Sequence, residues 1–144
     1  MRCTNLRVYT RVMSDDLCFC TSLRKASRRL TAAYDDALKP HGINVAQFAL
    51  LRNIDRHGPI SLTALGQILE LDRSTLGRNV RVLGRLDLVE LAESDDKREA
   101  SVTLSTAGRR TLAAALPVWR ATQAKINSRL GGSAEQLQAL LGAL

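Results

Sequence analysis

"DRSTLGRNVRVLGR", residues 72 to 85, is the stretch on which the fold turns. Leu76, Val80 and Leu83 stand at i, i+4 and i+7, so they line one helical face that needs a core behind it. Arg78, Arg81 and Arg85 stand opposite at i, i+3 and i+7, Arg73 opens the segment, and no carboxylate lies between residues 73 and 85. A helix built this way is gripped from behind and offers cationic hydrogen-bond donors in front.

The segments around it follow from local signals. Residues 1–14 have no clear period and read as a flexible arm; residues 15–144 read as one domain. A first helix is expected from about Asp15 to Leu38, with Phe19, Leu23, Ala26, Leu30, Ala33 and Ala37 recurring at helical spacing. Pro40 and Gly42 end it, and Asn44 with Gln47 forms a capping-box pattern for a second helix carrying Phe48, Leu51 and Ile54 inward. After Gly58, Pro59 to Ser61 is a short extended piece. Ser61 caps a third helix, Leu62 to Leu69, and Asp72 caps the fourth, its carboxylate suiting the positive end of the helix dipole. Beyond Asp87 the period falls to two, with Val89 and Leu91, then Val102 and Leu104, facing inward around the polar tip "AESDDKREA". Ser105 caps a long helix to Leu130 that Pro117 kinks. Its Leu112, Leu116, Trp119, Gln123, Ile126 and Leu130 form a coiled-coil-like seam that asks for a partner surface. Ser133 and Gln136 suggest a capping box for a last helix with Leu137, Leu140, Leu141 and Leu144.

Composition agrees. A chain of 144 residues buries roughly 70% of its unfolded surface. Aromatics are only 3%, so the core rests on Leu, Ala, Val and Ile, which favours helices. The net charge of +7 suggests a polyanionic partner, nucleic acid before membrane. Cys3, Cys18 and Cys20 make no disulfide framework, no run resembles a leader or membrane span, and a cytoplasmic setting is expected. His41 and His57 are isolated, the cysteines lack zinc spacing, and no phosphate loop or nucleophilic triad has support. Neither catalysis nor a metal or other cofactor is therefore expected.

Helix, tight turn, basic helix, then polar hairpin is the order of a winged helix-turn-helix: mainly α, with a small β-hairpin wing. A helix about 10–12 Å across fills the major groove of double-stranded DNA. Arg73, Ser74, Thr75, Arg78, Asn79 and Arg81 are the candidate DNA contacts, since Arg pairs bidentately with guanine and Asn with adenine. Gly77 permits close approach at a helix cost of about 1 kcal/mol. At the wing tip, Lys97 and Arg98 suit a narrow minor groove, and Asp96 can hold Arg98 in position. The competing class is a winged-helix protein-interaction module that binds an acidic protein surface.

"LDRSTLGRNVRVL" (71–83) and "DKREASVTLSTAG" (96–108) resemble the MarR family of bacterial transcription regulators, and the likeness extends over nearly all the chain after the first dozen residues. The family's Asp-x-Arg wing motif falls on Asp96 and Arg98, and its Leu-Thr-x-x-Gly on Leu104, Ser105 and Gly108, with Ser for Thr. Where the family has Gly before the first wing strand, this chain has Asp87, which tolerates a left-handed conformation less easily. The resemblance implies a homodimer built by residues 15–43 and 106–144, with residues 44–105 as the DNA-binding region, and a repressor of a pseudo-palindromic operator. It also implies a small-molecule effector in a crevice that Arg24, Arg28 and Tyr34 can face.

"LCFCTSLRKASR" (17–28) is similar to the organic-hydroperoxide-sensing branch of that family. Aligned on "ASR", the branch's reactive cysteine falls on Cys20, its partner-supplied tyrosine on Tyr34, and its nearer tyrosine on Arg24; aligned on "LCF", the cysteine is Cys18. On one helix the two thiols would point about 200° apart. A buried structural cysteine is the plainer reading of either.

Overall fold

A computed structural model describes residues 18–92 and 101–144. The expected arm, and the wing tip with Asp96, Lys97 and Arg98, lie outside them. The elements are α1 (Phe19–Leu38), a 3-10 turn (Lys39–His41), α2 (Val45–His57), β1 (Ile60–Ser61), α3 (Leu62–Leu69), α4 (Arg73–Arg85), β2 (Val89–Ala92), β3 (Ser101–Leu104), α5 (Thr106–Leu130) and α6 (Ala134–Gly142). This is a mainly helical winged helix-turn-helix with a small antiparallel sheet.

Local chemistry sets most boundaries. The Asn44 side chain accepts from the Gln47 N–H and the Gln47 side chain accepts from the Asn44 N–H, both at 2.9 Å, which closes the expected capping box. Ser61 accepts from the Ala64 N–H at 3.1 Å and starts α3. Ser133 makes no cap hydrogen bond, contrary to expectation. It lies in a 3-10 turn (Gly131–Ser133) at φ −96°, ψ 1°, and a side-chain cap needs the extended backbone. Helix α1 starts at Phe19, later than the expected Asp15. Cys18 is its extended N-cap, so the two cysteines do not oppose one another across a helix.

The sheet has the order β1-β3-β2. The sequence predicts a hairpin and a separate extended piece; that piece, β1, pairs with β3 through Ile60 and Val102. Val102 is central and fully buried, whereas Leu91, its partner on the edge strand β2, is 51% exposed rather than inward. The core gathers Leu38, Phe48, Leu51, Ile54, Leu65 and the inner face of α4. The expected seam of α5 divides. Leu112, Leu116 and Trp119 pack into this same core, while Leu130 stays exposed. The stripe of α1 is also uncovered from Phe19, which is 85% exposed, to Leu30, and the leucines of α6 are open as well. Helix α5 continues through Pro117.

One junction ties the sheet to α5. Asp87 adopts φ +55°, the left-handed conformation its place before the first wing strand demands. The Ser105 hydroxyl donates to the Asp87 carbonyl at 2.5 Å and accepts from the Gly108 N–H at 2.9 Å. The Ser105 N–H donates to the Leu88 carbonyl at 3.2 Å. A Cβ on Gly108 would lie 1.9 Å from that same Leu88 oxygen, so only glycine lets α5 start here.

Replacing Gly108 by Ala therefore forces backbone apart and lowers stability by about 2–3 kcal/mol in urea unfolding. Gly84→Ala, where a Cβ meets nothing within 4 Å, raises it by about 0.5–1 kcal/mol.

Candidate nucleic-acid interface

Helix α4 is held as its sequence requires. Leu76 and Val80 are 1% exposed and Leu83 is fully buried, while Arg73, Arg78, Arg81 and Arg85 all stand on the exposed side. Ser74 is exposed, and Thr75 and Asn79 are half-buried. The turn from α3 is short because Glu70 takes the left-handed conformation at φ +51°. Four guanidinium groups thus share one outward face with no acid on the helix, a field that attracts a polyanion and deters an acidic neighbour within the chain.

Asp72 fixes the start of this helix. Its carboxylate accepts from the Ser74 and Thr75 N–H groups at 3.0 and 2.9 Å, and from the Ser74 and Thr75 hydroxyls at 2.5 and 2.6 Å. These bonds, led by the Ser74 hydroxyl, hold its carboxyl well below the usual carboxylate range. The protons of Ser74 and Thr75 are thereby committed to the cap, so these two residues serve first to position the helix.

Within one chain the residues singled out for sensing lie apart, and the expected tyrosine is one that a partner subunit would supply. Cys18 and Cys20 are exposed free thiols at the start of α1. The Cys18 thiol is drawn below its ordinary value, first by the Thr21 backbone N–H and then by the Thr21 hydroxyl, although neither contact amounts to a cap hydrogen bond. Tyr34 is half-buried: its hydroxyl donates to Gln123, its ring stacks 6.4 Å from Trp119, and burial pushes its pKa up. Arg24 and Arg28 stand exposed on α1.

A second basic cluster escaped the sequence reading. Arg52 and Arg56 of α2 and Arg109 and Arg120 of α5 line a groove, with Leu112 and Leu116 among its apolar walls. The Arg52 guanidinium lies 4.4 Å from the centre of the Trp119 ring, within cation–π range. Its pKa is pushed down, by burial first and then by the charges of Arg56 and Arg120. The available signal was the i, i+4 pair on α2 and the three-turn spacing on α5; nothing local joins the two helices. Asp55 is the groove's one acidic lining residue among the described residues. Among the described residues no group of three or more His, Cys, Asp or Glu could hold a metal, and no helix is long and apolar enough to cross a membrane.

A basic helix gripped from behind, entered by a tight turn and followed by a small antiparallel sheet, defines a winged helix-turn-helix protein. Residues 41–99 match the model of the MarR family. The structure is similar to that of the M. tuberculosis transcriptional regulator MosR in complex with DNA, at 31% identity and TM-score 0.82, over 88% of this chain and 92% of that one. It is also similar to a probable transcriptional regulator from Pseudomonas aeruginosa, at 28% identity and TM-score 0.80, over 87% and 95% of the two chains. A mutant of E. coli MarR complexed with operator DNA shares the fold at 23% identity and TM-score 0.80, over 86% and 91%. No curated protein matches the sequence. The chain belongs to the MarR family of transcription regulators.

Because the Asp72 carboxyl is held low in the folded state, its cap contributes stability above the unfolded carboxylate pKa of about 4, and loses it as pH falls toward the folded value. Asp72→Ala should melt below the parent at pH 7, and the gap should narrow on acidification below about pH 4. A gap that is the same at both pH values would contradict the cap's ionic character.

Proposed function

We propose that the chain is a dimeric, sequence-specific DNA-binding regulator, acting as a repressor. The observation that carries this reading is the outward guanidinium face of α4, whose apolar back is sealed in the core. The similarity to MosR, which was crystallised with DNA, supports it. Arg73, Arg78, Asn79 and Arg81 meet the major groove, with Arg78 and Asn79 as base readers. Ser74 and Thr75, whose donors are held by Asp72, orient the helix. Lys97 and Arg98, with Asp96 in support, place the wing in the minor groove.

Two copies bind together. The uncovered faces of α1, the end of α5 and α6 supply apolar surface for a twofold partner. Two recognition helices then enter successive major grooves about 34 Å apart, so the operator is pseudo-palindromic with half-sites about 10 base pairs apart.

Release follows from a change in the spacing of those helices. A small anionic or aromatic effector suits the groove between α2 and α5, where Arg52, Arg56, Arg109 and Arg120 meet apolar walls. Thiol oxidation is the second route, favoured by the exposure and lowered pKa of Cys18. There the thiolate attacks the outer oxygen of an organic hydroperoxide, the O–O bond breaks to leave a sulfenic acid and an alkoxide, and the alkoxide takes a proton from water to become the alcohol. Cys20, with Tyr34, is the other candidate for that step.

Binding to duplex DNA should weaken steeply with salt, with a log–log slope corresponding to ~6–10 neutralised phosphates. Arg78→Ala should relax base preference, whereas Arg98→Ala should weaken binding across many sequences. A flat salt response would instead favour a module that binds an acidic protein surface.

A further inference from the structure

Helix α4 carries two glycines, Gly77 and Gly84, for which its own packing gives no reason, and Gly77 also lines a groove. Gly77 sits mid-helix, and a Cβ built there meets only the tip of the Arg81 side chain, at an ordinary 3.8 Å. By contrast, Gly108 is forced by backbone contact. A residue that weakens a helix without relieving a clash, and that opens into a groove, points to something outside the chain.

The surroundings say what that is. Gly77 lies in a groove bounded along α4 by Arg73, Ser74 and Arg81, and across it by Leu62 of α3 and Leu91 of β2. Val80 forms part of its base. Leu91 is one of the few large apolar side chains of the winged region left exposed. Arg73 and Arg81 lie eight residues apart, roughly 12 Å along the helix axis. Cations at both ends with an apolar wall between them match a sugar-phosphate strand, whose anionic phosphates alternate with the carbon-rich faces of deoxyribose. An apolar peptide would leave the arginines unpaired.

We propose that the notch at Gly77 seats the backbone of one DNA strand, and that the missing side chain sets how closely α4 approaches the duplex. Arg73 and Arg81 flank the strand, and Leu91 packs against its sugars. This rests on the DNA-binding reading and adds a residue that governs affinity without making a hydrogen bond.

The test uses the full chain, a duplex recovered by the parent protein from a random-sequence pool, and the variants Gly77→Ala and Gly84→Ala. Gly77→Ala should melt at or above the parent temperature, because Ala is the better helix former. It should bind the duplex about tenfold more weakly or worse, with a salt slope shallower by about one phosphate contact. Gly84→Ala, also at a site with open space, should gain stability and keep the parent affinity. Gly77→Ala binding within about twofold of the parent would overturn the proposal. So would a fall in its melting temperature, which would mean that the fold itself needs the glycine. Failure of the parent to recover any duplex would overturn the DNA-binding reading itself, and this inference with it.

Discussion

Burial of Leu76, Val80 and Leu83 is the constraint on which everything else rests. These side chains pin one face of α4 to the core, and helical geometry then leaves no choice about where the arginines go. Arg73, Arg78, Arg81 and Arg85 are outward because the leucines and valine are inward. No separate device is needed to present them. The Asp72 cap and the left-handed turn at Glu70 add the remaining coordinate, the direction in which the helix starts.

The rest of the fold carries that orientation to the long helices. Ser105 joins the base of the wing to α5 with three hydrogen bonds, and Gly108 lets the two backbones touch. At the other end, the Asp35 carboxylate of α1 accepts from the Val45 N–H at 2.7 Å and so ties α1 to the start of α2. Phe48 of α2 and Tyr34 of α1 both stack on Trp119 of α5. The helices that reach away from the winged region are therefore connected to it by specific polar bonds as well as by packing.

Features decided by residues close in sequence were legible beforehand. The caps at Asn44, Ser61, Asp72 and Ser105 depend on a side chain and a backbone N–H two or three residues away. The strain at Asp87 was visible because a turn of that kind ordinarily takes glycine. What depended on distant pairing was not. The pairing of β1 with β3 joins Ile60 to Val102, far apart in the chain, and the arginine cluster joins α2 to α5. The α5 seam was legible in its period, but periodicity states that a face is buried and not against what; its first half packs into this chain's own core. Ser133 failed as a cap because it is itself the last residue of a 3-10 turn, which sets its backbone away from the extended form. Of the candidate site, the helix was readable residue by residue, except that Ser74 and Thr75 turn toward Asp72.

In the proposed function the guanidinium face of α4 meets DNA in symmetric pairs. Hydroxyl-radical footprinting of the full chain on a duplex it selects tests this most directly. It should show two protected patches, related by a twofold axis and centred about 10 base pairs apart. A single protected patch, or uniform cleavage at concentrations where the chain is folded, would contradict it.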